Sequence, residues 1–488
     1  MKFPSSKKHV LRSALCIAVS AAIPLLLVGC KGEDTAAAMP AVGESVVLES
    51  GAQLDYKNTV FDDFVGGVDS DLWYIGKQAW GSSNGGNGGV IPENVGYTDE
   101  GVLVFTGRGN YYTANEVSGV GSVRDGSLTG GAIISKFLTG PGRYEIKMKA
   151  LPRLGACTAM WVYAYDSEGE DGPENHEIDI ELPGGKNSGN QSFNNVLNTN
   201  YITEQYSLSH DVNLTDTFGS DTLYSLADGE WHTFGFDWYT DSSDPEAEEG
   251  KVVYYVDGVV TAISTNFIPT SQTRLWVGVW FPNNPGFVGS ADFEQDYMEV
   301  DWVRYTPFVD QPYDEFTPAT NSVASLSEYP AEPTVYEAAN KISNGTFETA
   351  LNKSSNGWTL GQVASSTKPV EEECAILTGV GKDGSVGAMV KDGGVLGQSI
   401  DTVYDNFPYE LTFEAKGGTS DSSAALDIFY RSSVGTLKTE TVQISGEEWK
   451  TYTVQLTAPV GCMSIQLEWY TDGDGNTVYI DNVSMRRV

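Results

Sequence analysis

The sequence predicts an all-β chain: a two-sheet jelly roll followed by a second, smaller β-rich region. Aromatic residues make up 11% of the 488 residues and glycine fills 54 positions, while no segment keeps a helical 3.6-residue period over three turns. Between residues 55 and 308, short alternating runs are broken by Gly, Asn and Asp turns, as expected for many strands in two packed sheets. A stretch carrying Pro312, Pro318, Pro330 and Pro333 (309–338) then reads as a semi-extended linker. Beyond it, residues 339–488 form a second β-rich region long enough to fold alone.

The clearest strands in the first region are Gly101–Phe105, Arg143–Lys149, Trp231–Trp238 and Lys251–Val256, the last followed by the hairpin pair Asp257-Gly258. In the second region Tyr409–Glu414 and Ser464–Trp469 alternate in the same way.

Charge narrows the function. Lys and Arg number 29 against 66 Asp and Glu, a formal net charge of −37. Such a surface repels phosphate backbones, so a nucleic-acid partner is excluded. Strongly anionic polysaccharides fit only a locally basic cleft.

Lys2, Lys7, Lys8 and Arg12 precede an apolar run from Ser13 to Val28, which reads as an export signal over residues 1–29. Leu27-Val28-Gly29-Cys30 resembles a bacterial lipobox, which implies Cys30 as the lipidated first residue of the mature chain and 30–54 as a tether. Lys31 after the Cys resembles lipoproteins sorted to the outer membrane, so a lipid-anchored place in the cell envelope is expected. Of the remaining cysteines, Cys16 lies in the signal and Cys157 reads as a buried small hydrophobe. Cys374 and Cys462 share the last region and can pair in an oxidising compartment. Four His and no CxxC or HExxH motif leave a zinc or redox enzyme unsupported.

The most informative stretch is His176-Glu177-Ile178-Asp179-Ile180-Glu181-Leu182-Pro183-Gly184. Alternation places Glu177, Asp179 and Glu181 on one strand face and Ile178, Ile180 and Leu182 on the other. His176 then points away from the acids and reads as structural. Three acids on one face repel, and their pKa values must split. Four residues of strand span about 13 Å, and long Glu side chains leaning inward can reach the roughly 5–5.5 Å separation of retaining glycosidases. On spacing alone, glycosidase chemistry, a calcium site and a solvated edge strand all stay open.

Glu-Ile-Asp-Ile-Glu followed by Pro-Gly resembles the catalytic strand of glycoside hydrolase family 16. Gly88–Val95, Gly142–Lys149, Trp231–Trp238, Tyr255–Gly258 and Met298–Tyr305 fall in that family's order, so the resemblance covers about residues 55–308. It implies a concanavalin A-like β-sandwich and a retaining, endo-acting hydrolase of β-linked polysaccharide that needs no cofactor for catalysis. It also implies Glu177 as nucleophile, Glu181 as general acid/base and Asp179 as the residue that tunes the pair. The straight Glu-x-Asp-x-Glu form resembles lichenases and xyloglucan enzymes. Lichenases, however, carry Tyr-Arg-Ser where this chain has Ile133-Ile134-Ser135. β-Glucan is the favoured substrate; a galactan or host glycan, transglycosylation at the same site, and a non-catalytic glycan-binding lipoprotein are the alternatives.

Trp280 is the leading candidate for a sugar platform, with Trp80, Trp161 and Trp276 next and Asn200 and Tyr201 beside the acidic strand. Asp301 matches a position that helps hold structural calcium in some family members. Asn344–Glu348, Trp358 and Val478–Val483 resemble carbohydrate-binding modules of the galactose-binding-like type, which implies Glu348 and Asp481 as calcium ligands. Trp358, Tyr430 and Trp469 are unranked platform candidates there. A polysaccharide substrate, a membrane contact only through the lipid and a monomeric state complete the expectations.

Overall fold

The computed structural model describes residues 52–78, 87–114, 123, 125–166, 174–184, 193–203, 205–219, 224–240, 250–309, 311–315, 331–349, 357–401, 403–404, 406–417, 424–471 and 475–488. The signal segment, Cys30 and the tether up to residue 51 lie outside them, as does Trp80. The described chain is all-β, with helices of four or five residues such as Leu214–Phe218 and Pro285–Val288. Among the described residues, no helix is long and apolar enough to cross a membrane.

Two antiparallel layers form the first sandwich. One runs Tyr206–Asn213, Asn195–Thr203, Glu174–Pro183, Cys157–Asp166, Arg274–Trp280, Leu128–Ser135, Trp73–Ile75 across its width. The other runs Val259–Ser264, Lys251–Val256, His232–Tyr239, Gly142–Lys149, Gln295–Val309, Leu103–Arg108, Val95–Tyr97. Asp257 and Gly258 turn the Lys251–Ser264 hairpin with φ of 47° and 75°, the left-handed pair that a two-residue turn requires.

The space between the layers is filled by one apolar core. Ile178, Ile180 and Leu182 of the acidic strand enter it with Phe234, Phe236, Trp238, Met298 and Val300. Each buried aliphatic side chain contributes about 1.5–3 kcal/mol. A one-residue slip of the strand would expose all three and drive three carboxylates into the core, so the register is fixed.

The second β region is a sandwich of two five-stranded sheets. One runs Thr359–Gln362, Gly394–Ile400, Ser464–Thr471, Ala424–Ser432, Gly435–Ile444; the other runs Cys374–Thr378, Val386–Lys391, Thr477–Arg487, Pro408–Gly417, Lys450–Thr457. Trp358, Tyr430 and Trp469 are no more than 1% exposed and pack into its core. They build the interior of this sandwich and are not surface platforms. Cys374 and Cys462 are both buried, and neither forms a disulfide. Cys374 opens a strand opposite Val390, whereas the Cys462 thiol turns to the Ser464 carbonyl at 3.3 Å, so the disulfide does not form.

Part of the linker is bound to the first sandwich. Glu332 and Pro333 pair in parallel with Gly96 and Tyr97, and the Tyr336 ring meets Tyr297 edge-on at 4.8 Å.

Candidate active site

The acidic strand lies between Asn195–Thr203 and Cys157–Asp166, and the pairing lays its acids into rows that cross the sheet. Asp179 faces Thr199 on one side and Trp161 on the other, Trp161 in turn faces Trp276, and Trp276 faces Ile134. Glu177 lies between Tyr201 and Tyr163. Glu181 lies between Leu197 and Ala159, and its row continues through Gly278 to Ala132. All these residues share the face turned away from the core.

These rows floor a cleft of about 310 Å³ lined by Ala159, Trp161, Glu177, Asp179, Glu181, Leu197, Tyr201, Trp280 and Phe287. That volume falls in the range of small-molecule and oligomer sites. Small residues keep the floor low beneath Glu181. A Cβ on Gly278 would lie 2.3 Å from the Gly131 carbonyl, so only glycine fits where the strands approach there. A larger cavity of about 400 Å³, lined by Lys149, Asp296, Tyr336 and Lys341 among others, contains none of the three acids.

The trio has unequal partners. Asn175 Nδ2 donates to Glu177 Oε2 at 2.9 Å, and Asp179 hydrogen-bonds the same carboxyl. Burial raises Glu177, and these two hydrogen bonds oppose the rise. Asp179 is held well above the usual carboxylate range by burial, by the charges of Glu177 and Glu181, and by its bond to Glu177. Asp179 is therefore the member of the pair that keeps a proton to donate to Glu177. Burial and the Glu177 charge push Glu181 up to about 7, the Cys157 thiol opposing.

The expected aromatic residues that are described separate into two groups. Trp280, Trp161 and Tyr201 line the cleft. Trp276 is buried beside Trp161 on the same sheet face, stacked on it with ring centroids 5.4 Å apart and planes 23° from parallel. Asn200 corrects the expectation, because it pairs with Ile178 and so faces the core side of the sheet. Its amide donates to the carbonyls of Asn266 and Phe267 at 2.7 and 2.6 Å and braces a loop. His176 is also structural: its imidazole is 3.2 Å from Glu174 and accepts from the Thr270 N–H.

Sequence reading missed Asn175, Cys157 and Phe287. Asn175 shares the Glu177 face by simple alternation, a signal present in the sequence. Phe287 arrives on the short Pro285–Val288 helix, which no periodicity announces.

The residues expected to ligate calcium do not fit that ion. Asp301 pairs with the Lys147 ammonium at 2.6 Å, so a fixed cation already neutralises it. Glu348 accepts the Val386 N–H at 2.8 Å. Asp481 accepts from the Lys382 N–H, the Ser385 hydroxyl and the Asn482 N–H. Calcium needs six to eight oxygen ligands, whereas these two acids brace a turn through hydrogen donors. Among the described residues, no group of three or more His, Cys, Asp or Glu is placed to share a metal.

Comparison with known proteins bears on the first sandwich. Residues 98–304 match the sequence model of glycosyl hydrolases family 16. The chain is 26% identical over 248 residues to a beta-glucanase of Paenibacillus macerans, covering 48% of this chain and 86% of that protein. It is 28% identical over 236 residues to a beta-glucanase of Bacillus subtilis (strain 168), covering 46% and 84%. Among solved structures it is similar to a Bacillus licheniformis beta-glucanase at 23% identity and a TM-score of 0.39, covering 51% of this chain and 97% of that one. The first sandwich is thus similar to the catalytic domains of that family over residues 98–304, and the match and these relatives make the chain a glycoside hydrolase.

Proposed function

We propose that this hydrolase cuts internal β-glycosidic bonds of a β-glucan by double displacement, with Glu177 as nucleophile and Glu181 as acid/base. The observation that carries the reading is the pairing of Glu177 and Glu181 on either side of Asp179 along one cleft face. The names of the curated relatives support the β-glucan part.

In the first step Glu181 gives its proton to the leaving glycosidic oxygen while the Glu177 carboxylate attacks the anomeric carbon. Glu177 is prepared for this by the Asn175 amide and the Asp179 hydroxyl, which aim one oxygen and favour its ionised form against the burial that opposes it. Glu181 is prepared by its raised pKa, which retains the proton near neutrality. In the second step Glu181, now ionised, takes a proton from water, which attacks the sugar and frees Glu177. Trp280, Trp161 and Tyr201 offer rings to the apolar faces of pyranose units.

In the same reading Cys30 carries the lipid and holds the enzyme in the envelope. The second sandwich is a carbohydrate-binding module that raises the local concentration of enzyme on the polymer.

The test is reducing-end release from lichenan, laminarin, curdlan, agarose, porphyran, carrageenan and mucin glycans by the wild type and Glu177→Gln. Release from a β-glucan with retained anomeric configuration, falling by about 1,000-fold or more in the variant, is expected. Unchanged release by Glu177→Gln would sink the assignment, and release from a galactan or mucin alone would move the substrate.

A further inference from the structure

Cys157 reads in the sequence as a filler of apolar space. The structure places it elsewhere. It begins the Cys157–Asp166 strand opposite Pro183, with Trp280 on its other side, and has the same parity as Ala159 and Trp161. It therefore faces the cleft, two residues along its strand from the alanine that opposes Glu181. It has no exposed surface, and its Sγ lies 3.6 Å from Glu181 Oε1. The Thr158 carbonyl, the other acceptor in reach, is farther at 3.8 Å.

We propose that Cys157 is a positioning residue for the acid/base carboxyl, its thiol hydrogen-bonding Glu181 from the cleft floor and holding the carboxyl toward the leaving oxygen without competing for its proton. The inference rests on Glu181 being the acid/base.

The chemistry of the thiol is the reason. An S–H group is a weak donor. A hydroxyl or amide there would stabilise the carboxylate and strip the acid of its proton, whereas an alkyl group would leave the carboxyl free to rotate. The contrast with Glu177 supports this, because the nucleophile receives a strong amide donor and a carboxyl donor. Burial and the Glu181 charge raise the thiol well above its ordinary value, so it remains an S–H donor through the working range.

Two measurements test the proposal. The first is the infrared S–H stretch in the difference between wild type and Cys157→Ala, which isolates this thiol from the others without needing activity. The band should be displaced from that of an unbonded thiol, move as the pH crosses the Glu181 titration, and lose that movement in Glu181→Gln. A pH-independent, unbonded band would overturn the inference. The second is the pH profile of kcat/KM on lichenan. Cys157→Ser should move the alkaline limb down by about half a pH unit or more, because a hydroxyl is the stronger donor to a carboxylate. Cys157→Ala should move it the other way and lower kcat several-fold. A residue that merely fills space would change kcat or thermal stability and leave the limb in place. The underlying reading is checked apart from these variants, by azide rescue of Glu181→Ala on 2,4-dinitrophenyl β-cellobioside. Without rescue Glu181 is not the acid/base. With rescue and an unmoved limb in both Cys157 variants, only the thiol's role falls.

Discussion

Lys341 Nζ lies 3.7 Å from Asp296 Oδ2, and Arg153 Nε lies 2.7 Å from the same oxygen, so one buried carboxylate answers cations from both β-sandwiches. Arg153 also donates to the Asn340 carbonyl at 3.0 Å, and Arg487 reaches back to the Asp228 carbonyl at 3.1 Å. The second sandwich is thus joined to the first by charge as well as by the chain. Asp296→Asn should leave two buried cations without an anion, which costs about 3–5 kcal/mol. Calorimetry of the full chain should show a lower melting temperature in the variant, with the two sandwiches melting separately. An unchanged single transition would remove this ion network from the account of the seam.

The acid trio makes a prediction of opposite sign. Glu177 and Glu181 are both pushed up to about 7, chiefly by burial. The folded chain therefore holds protons that the unfolded chain has released, and stability falls as pH rises from the ordinary carboxylate range through about 7. Replacing either Glu by Gln removes that loss. Glu181→Gln should be more stable than wild type by on the order of 1–3 kcal/mol at about pH 8 and indistinguishable at about pH 4. Urea titrations at the two pH values decide it, and equal stability at both would mean the acids are not crowded in solution.

His232 is the converse case. Its Nδ1 is 2.8 Å from Asp257 and its Nε2 is 3.2 Å from Asp228. Burial alone would pull the imidazole down, yet the hydrogen bonds and charges of the two aspartates carry it up to about 9. A raised histidine contributes stability that is complete below its unfolded pKa and is lost as pH rises through the folded one. His232→Gln should cost on the order of 2 kcal/mol at about pH 6, the difference shrinking as pH rises from about 6.5 and nearly gone above about pH 9. A constant difference across that window would show that the ring acts by packing.

Period two made the trio legible. Three acids alternating with Ile178, Ile180 and Leu182 permit one orientation against an apolar core, so their shared face followed from residues 176–184 alone. Asn200 marks where resemblance falls short of period two: it comes with Tyr201 in a segment that resembles a cleft strand, although neighbours on a strand face opposite ways. Cys157 shows a limit of another kind. Its parity with Trp161 is readable, but which strand lies beside Glu181, and in what register, is set by pairing across the sheet. Lys341 is farther still from the sequence, since a lysine after a linker announces nothing about an aspartate 45 positions earlier.

The stacked tryptophans separate binding from stability. Trp280 is partly exposed in the cleft wall, whereas Trp276 is 3% exposed and packs beside Trp161. Removing the Trp280 ring leaves the apolar face of the sugar uncovered, so Trp280→Ala should raise KM by roughly tenfold while the melting temperature moves little. Trp276→Ala opens a cavity beside Trp161 instead. A buried Trp→Ala change costs about 3–5 kcal/mol, and the lost support lets Trp161 tilt away from the row that holds Asp179. This variant should lower the melting temperature strongly and affect kcat as well as KM. Steady-state kinetics on lichenan beside thermal melts of both variants would distinguish the roles. If Trp280→Ala proved the destabilised one and Trp276→Ala the weak binder, the assignment of platform and support would have to be exchanged.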